Sequence, residues 1–122
     1  MNADKKQSRE TPEAQASPAS PGLVIVLTTW PTGAPLETIA QQLVRDGHAA
    51  CVTILPPHRS VYRWQGTVEH ADEQQLLIKT TRARVPALEA AVHAAHPYDV
   101  PEFLVLPIEA ASDAYGRWIA DG

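Results

Sequence analysis

Leu23-Val24-Ile25-Val26-Leu27-Thr28-Thr29-Trp30-Pro31 decides how the rest of the chain must be arranged. Its first five residues are apolar without alternation, so a strand formed here presents apolar side chains to both sides of a sheet. That is the pattern of a central strand, not an edge. Downstream, Pro35 suits a first helical turn. Leu36, Ile39, Ala40, Leu43 and Val44 then recur at the i, i+3, i+4, i+7, i+8 spacing of an amphipathic helix. Gly47 follows as its C-terminal cap. A second strand runs from Ala50 to Leu55, with Ala50, Val52 and Ile54 on one side and Cys51, Thr53 and Leu55 on the other. Pro56-Pro57 cannot donate to a ladder, so a bulge or bend is required there.

Extended structure resumes over Ser60 to Trp64, with Tyr62 and Trp64 on a shared face and Gln65-Gly66 as the turn. Thr67 to Thr81 carries the return strand. Its apolar end is Leu76-Leu77-Ile78, and its polar middle, His70 to Gln75, is expected in solvent. Val85, Leu88, Val92 and Ala95 mark a second helix with Pro86 in its first turn. Phe103-Leu104-Val105-Leu106 is the last clear strand. Ser112 can cap a short terminal helix with Tyr115, Trp118 and Ile119 on one face. The order predicts an α+β, ferredoxin-like split βαβ fold (βαββαβ) with a short C-terminal helix. Its antiparallel sheet has four strands and both long helices on one face. The other face is left uncovered and apolar, which argues for self-association into a closed cyclic oligomer.

Composition narrows the function. With 122 residues the chain makes one domain. Residues 1–22 separate from the rest: between Asn2 and Gly22 there is no Val, Ile, Leu, Phe, Trp or Tyr. Such a stretch cannot bury enough apolar surface to offset its ordering entropy, so a disordered N-terminal extension is expected before a folded domain over 23–122. A net charge of −4 argues against a nucleic-acid partner, because the phosphate backbone demands a basic face. No apolar run approaches membrane-spanning length. The tail lacks the apolar core of a secretory signal, and its Asp4, Glu10 and Glu13 are unlike a transit peptide, which leaves the cytoplasm as the default setting.

The chemistry concentrates in His96-Pro97-Tyr98-Asp99-Val100-Pro101-Glu102. Two prolines stiffen a run that holds an imidazole, a phenol and carboxylates, between a helical and a strand pattern. A polar helix stop and a binding site are both consistent with it. Cys51, the one cysteine, reads either as a small core hydrophobe or as a soft metal ligand that needs partners such as His96 and Glu102. Lys79 is a charge in an apolar strand: it blocks a sheet edge, or pairs with Glu102 or an anion. Tyr62, Trp64 and Trp118 read as interface anchors, with stacking against a ligand ring as the alternative. There is no C-x-x-C, H-x-x-x-H or H-E-x-x-H pattern, and no nucleophile–base pair, so an enzyme is not expected.

Ala49-Ala50-Cys51-Val52, Ser60-Val61-Tyr62-Arg63-Trp64-Gln65-Gly66, Leu77-Ile78-Lys79-Thr80, His96-Pro97-Tyr98 with Pro101-Glu102, and Tyr115 with Trp118 occur in this order. As an ordered set they resemble the CutA family of divalent-cation tolerance proteins. The resemblance covers roughly Leu23 to Ile119. It implies a ferredoxin-like protomer, a homotrimer with sheets packed inward, a cytoplasmic setting and a link to copper or another divalent cation, with no organic cofactor. It also implies an architecture similar to the PII signalling proteins, so a module binding a small anionic effector between subunits is the alternative function. The family's shared polar positions correspond to Cys51, Tyr62, Trp64, Lys79, His96, Tyr98, Glu102 and Trp118, gathered near the clefts between protomers. His96, Glu102 and Cys51 are the metal candidates among them, and Tyr62, Trp64, Lys79, Tyr98 and Trp118 the ligand-contacting ones. The chain departs from the family in having no cysteine beside Thr28-Thr29-Trp30-Pro31, in Thr53 where Asn is common, and in Asp46-Gly47-His48 where Arg-Leu is usual.

Overall fold

The computed structural model describes residues 16–18 and 22–122. Strand β1 is Ala16–Pro18; the other residues of the N-terminal extension up to 21, with the expectation of disorder attached to them, lie outside the described residues. The remaining elements are β2 (Leu23–Pro31), α1 (Leu36–Arg45), β3 (Cys51–Ile54), β4 (His58–Trp64), β5 (Thr67–Thr81), α2 (Val85–Ala95), β6 (Leu104–Pro107), β7 (Ala110–Ser112) and α3 (Asp113–Asp121). The main sheet is antiparallel in the order β3-β5-β2-β6, with β4 pairing the far end of β5. The two apolar strands are central, as the first stretch of sequence required. The β2-α1-β3 unit is split by β5, and the β5-α2-β6 unit by β2, which is the ferredoxin-like arrangement. Strands β1 and β7 add a separate two-stranded ladder that the apolar pattern did not announce.

Alternation along β2 separates two environments. Val24, Val26, Thr28 and Trp30 are fully buried, packed with Leu76 and Ile78 of β5 and with Leu36, Ile39, Leu43, Leu88 and Val92 from the two helices. The intervening Ile25 and Leu27 face the other way, in register with Lys79 and Leu77 of β5 and with Leu106 and Leu104 of β6. Among the described residues no long helix covers this second face, and Leu104 and Leu106 are 52% and 42% exposed. At one end of it, Tyr115 of α3 meets Lys79.

Local signals place the ends of these elements. Gly47, at φ +79°, closes α1: its N–H donates to the Val44 carbonyl and that of His48 to Leu43. These two bonds make a Schellman cap, which needs a left-handed residue at the glycine position. Ser112 Oγ accepts from the Tyr115 N–H and opens α3. Gln65 and Gly66 both have positive φ, giving the two-residue turn whose twist suits a hairpin.

The Pro56-Pro57 interruption has the largest consequence. Ile54 pairs with Leu76, whereas His58 pairs with Glu73, so the β3–β4 side carries one extra residue. A one-residue slip moves every later side chain to the opposite face. Because of it, His58, Tyr62 and Trp64 share the uncovered face with Cys51 and Lys79. The bulge is held by the Leu55 N–H donating to the Gln75 carbonyl at 2.9 Å and by Gln74 Nε2 donating to the Leu55 carbonyl at 3.2 Å.

The burial pattern predicts a steep contrast in stability. Leu76→Ala should lower the unfolding free energy by about 2–5 kcal/mol, the cost of a core cavity. Gln42→Ala, on the exposed side of α1, should change it by no more than about 0.5 kcal/mol. Urea unfolding at one fixed protein concentration measures both.

Candidate functional site

Strand β6 pairs with β2 only as far as Leu27. Beyond it, the edge of β2 at Thr29 would be bare, since an edge carbonyl needs a donor. The 96–102 segment supplies one. His96, at the C-terminal end of α2, has φ −82° and ψ 138°, an extended geometry imposed by Pro97. That geometry turns the imidazole back onto β2, where it stacks on Trp30 with ring centroids 4.1 Å apart. Its Nε2 lies 2.7 Å from the Thr29 carbonyl, and its Nδ1 accepts from the Tyr98 N–H at 3.1 Å.

These two contacts fix the tautomer. A carbonyl only accepts, so Nε2 carries the proton; a backbone N–H only donates, so Nδ1 supplies the lone pair. His96 is therefore a neutral imidazole with both nitrogens committed inside the protomer. For His96 to act as the expected metal ligand, coordination would have to break one of these two hydrogen bonds. Burial also holds its pKa below the ordinary histidine value; the Thr29 carbonyl opposes that shift, His93 reinforces it, and Glu73 opposes it.

Around this latch lies a network on the uncovered face. Tyr98 Oη donates to Glu73 Oε2 at 3.0 Å. Desolvation, then the bond and charge of Glu73, then Tyr62, push the Tyr98 hydroxyl up to about 12, so it stays a donor throughout the neutral range. Gln75 Nε2 donates to Glu102 Oε2 at 2.9 Å and reaches Thr29 Oγ1 at 3.5 Å. Glu73 was expected in solvent with the polar middle of its strand, yet it is only 8% exposed. The alternating register of a single long β5 places it beneath Tyr98.

A second group occupies the other end of the same face. Cys51 and Lys79 are cross-strand partners there. Lys79 Nζ donates to Tyr115 Oη at 2.9 Å and lies 5.2 Å from that ring's centre. Tyr115 in turn stacks on Trp118 at 5.4 Å. At this position β5 is flanked by Ile25 and Cys51 on its two sides, so Lys79 does not guard a sheet edge. Tyr62 and Trp64 project from the β4–β5 hairpin and are exposed.

Six of the eight anticipated site residues thus fall into two groups, one holding Glu102, Tyr98 and His96, the other Cys51, Lys79 and Trp118, while Tyr62 and Trp64 stand on the hairpin strand β4. Between Gln75 and Lys79, which mark the two groups on β5, four residues of strand span about 13 Å. Cys51 and Glu102 are not brought together within one chain. Among the described residues no three His, Cys, Asp or Glu side chains are grouped to hold a metal ion.

Comparison with known proteins agrees with this architecture. The family model described as CutA1 divalent ion tolerance protein matches residues 24–122, and the chain belongs to that family. The divalent-cation tolerance protein CutA of Thermus thermophilus is 44% identical over 97 residues, covering 80% of this chain and 94% of that one. The solved structure of the Thermus thermophilus protein superposes with a TM-score of 0.78 at 43% identity, over 81% of this chain and 96% of that one. CutA from Synechococcus elongatus PCC7942 superposes at 0.80 with 39% identity, over 89% and 96%.

The geometry of His96 makes stability depend on pH in a defined direction. A folded pKa held below the unfolded value means that the unfolded chain binds more protons on acidification. The stabilisation is complete above the unfolded value of about 6.5 and is lost as pH falls through it. Melting temperature should therefore fall between about pH 7 and pH 5, and the fall should be shallower in His96→Gln, which cannot titrate. Equal slopes in scanning calorimetry would remove His96 as the cause. At neutral pH His96→Ala should cost about 2–4 kcal/mol, from the unpaired Thr29 carbonyl and the cavity under Trp30.

Proposed function

We propose that this chain serves divalent-cation tolerance as a non-catalytic homotrimer, taking up a divalent ion, copper(II) foremost, in the clefts between its copies. The observation that carries this reading is the division of donors on one uncovered face. The Cys51 thiol stands at one end and the Glu102 carboxylate at the other, and among the described residues neither belongs to a group of three donors that could bind an ion. A ring in which one end of a protomer meets the other end of the next brings a thiol and a carboxylate into the same cleft. The exposed Leu104 and Leu106 supply the apolar contact that such packing buries.

Copper(II) is favoured because it tops the affinity order of divalent ions for mixed donor sets of this kind, and a thiolate adds softness. His96 serves by holding Tyr98 and the segment leading to Glu102 in place. A cytoplasmic setting belongs to the same reading, since a lone thiol used as a ligand must be kept reduced. Relatives are named for other settings, the chloroplast in Arabidopsis thaliana and the periplasm in Archaeoglobus fulgidus.

Two measurements test the reading. Light scattering at micromolar concentration should give three times the chain mass, and a monomer would overturn it. Calorimetric copper(II) titration should show binding that Cys51→Ser and Glu102→Gln each weaken at least about tenfold, with each lost ligand worth about 1.4 kcal/mol or more. Absence of copper binding by the wild type would leave the clefts without this role.

A further inference from the structure

We infer that Lys79 of one copy forms an ion pair with Glu102 of the next, so that the polar site of each protomer is completed by its neighbour. This rests on the homotrimer proposed above for its stoichiometry, and adds the contact that sets how the copies are matched.

Three observations lead to it. First, Lys79 is a half-buried ammonium on an apolar surface, in register with Ile25 and Cys51 and followed along the same face by Leu77. Of its three N–H groups, one donates to Tyr115 Oη, a neutral acceptor. Between described residues the only ion pair joins Arg59 Nε to Asp72 Oδ1 at 3.5 Å, so no described carboxylate neutralises Lys79. In an isolated protomer, water can do so. Once a second copy covers Leu104 and Leu106 on this face, that water is excluded, and an unpaired buried ammonium is strongly disfavoured. The covering surface must bring an anion.

Second, the same face offers that anion at its opposite end. Glu102 uses Oε2 to accept from Gln75, leaving Oε1 for another donor. Glu73 is the less suitable acid, being buried under Tyr98 with its Oε2 already taken. Asp72 lies on the opposite face of the β4–β5 hairpin, opposite Arg59, and Glu69, on the same face as Lys79, lies out toward the hairpin tip opposite Tyr62, away from the strands that carry Leu104 and Leu106. Third, the basic and acidic ends are both carried on β5 positions of one parity, Lys79 directly and Glu102 through Gln75, so a head-to-tail arrangement of identical copies joins each to its opposite. Complementary charge of this kind fixes the register of an otherwise greasy and permissive contact.

Charge reversal with chelator present, so that no metal contributes, tests the pair. In light scattering and dilution-dissociation experiments at low salt, Lys79→Glu and Glu102→Lys should each raise the subunit dissociation constant at least about tenfold, and the double swap should recover most of that loss. Circular dichroism of each variant reports whether it folds. If a reversal does not fold, Lys79→Met and Glu102→Gln replace it in the same double-mutant cycle, where the second substitution should add little to the first. Single variants that assemble as tightly as the wild type would overturn the pair while leaving the trimer intact. So would effects that simply add in the double variant. A monomeric wild type would instead remove the trimer on which the pair depends.

Discussion

Everything that reaches the candidate site hangs on β5. This single strand of fifteen residues is hydrogen-bonded to β2 on one side and to both β3 and β4 on the other. Because side chains alternate strictly along it, one choice of register settles which residues see the helices and which see the uncovered face. Leu76, Ile78 and Thr80 go into the core; Glu73, Gln75, Leu77 and Lys79 go outward. The one-residue bulge at Leu55–Pro57 is the complement to this rule. It shifts β4 relative to β3, so that Tyr62 and Trp64 join the outward set.

A neutral histidine then converts sheet geometry into site geometry. The shortness of β6 leaves Thr29 without a ladder partner on that side of β2, and the imidazole of His96 takes the place of a strand. The same ring orders the backbone at Tyr98, whose hydroxyl settles on Glu73. Deletion of the ring would disturb the strand edge, the aromatic stack and the carboxylate at once. A buried network of this kind is costly when partly satisfied, which accounts for the tight pairing of its members.

Much of the fold was legible in the sequence because it is written locally. The apolar run of β2, the helical spacing of α1 and α2, the Ser112 cap and the Pro56-Pro57 bulge each depend on neighbours a few residues away. The site was less legible because its decisive contacts are remote. His96 contacts Thr29 across 67 positions, and nothing in His96-Pro97-Tyr98 says that both ring nitrogens will be occupied. Glu73 sits in a stretch of charges and amides that reads as solvated, and only the pairing of β5 with its neighbours buries it. Lys79 looked like an edge lysine for the same reason: the strand order that flanks it on both sides is a property of the whole sheet.

In the proposed trimer, the distribution of polarity over the two sheet faces leaves one protomer with an incomplete site. The helix-covered face carries the packed core, with Val24, Val26, Leu76 and Ile78 against the two long helices. The other face mixes Leu77, Leu104 and Leu106 with a thiol, an ammonium, an amide and the carboxylates of Glu69, Glu73 and Glu102. A surface meant only for water would not keep the leucines, and a surface meant only for packing would not keep the charges. Both together fit the proposed trimer, in which copies would cover one another and the polar groups would meet across the contact. The apolar residues then supply the burial, and the charged ones restrict it to one alignment, because any other register would leave an ammonium facing leucine.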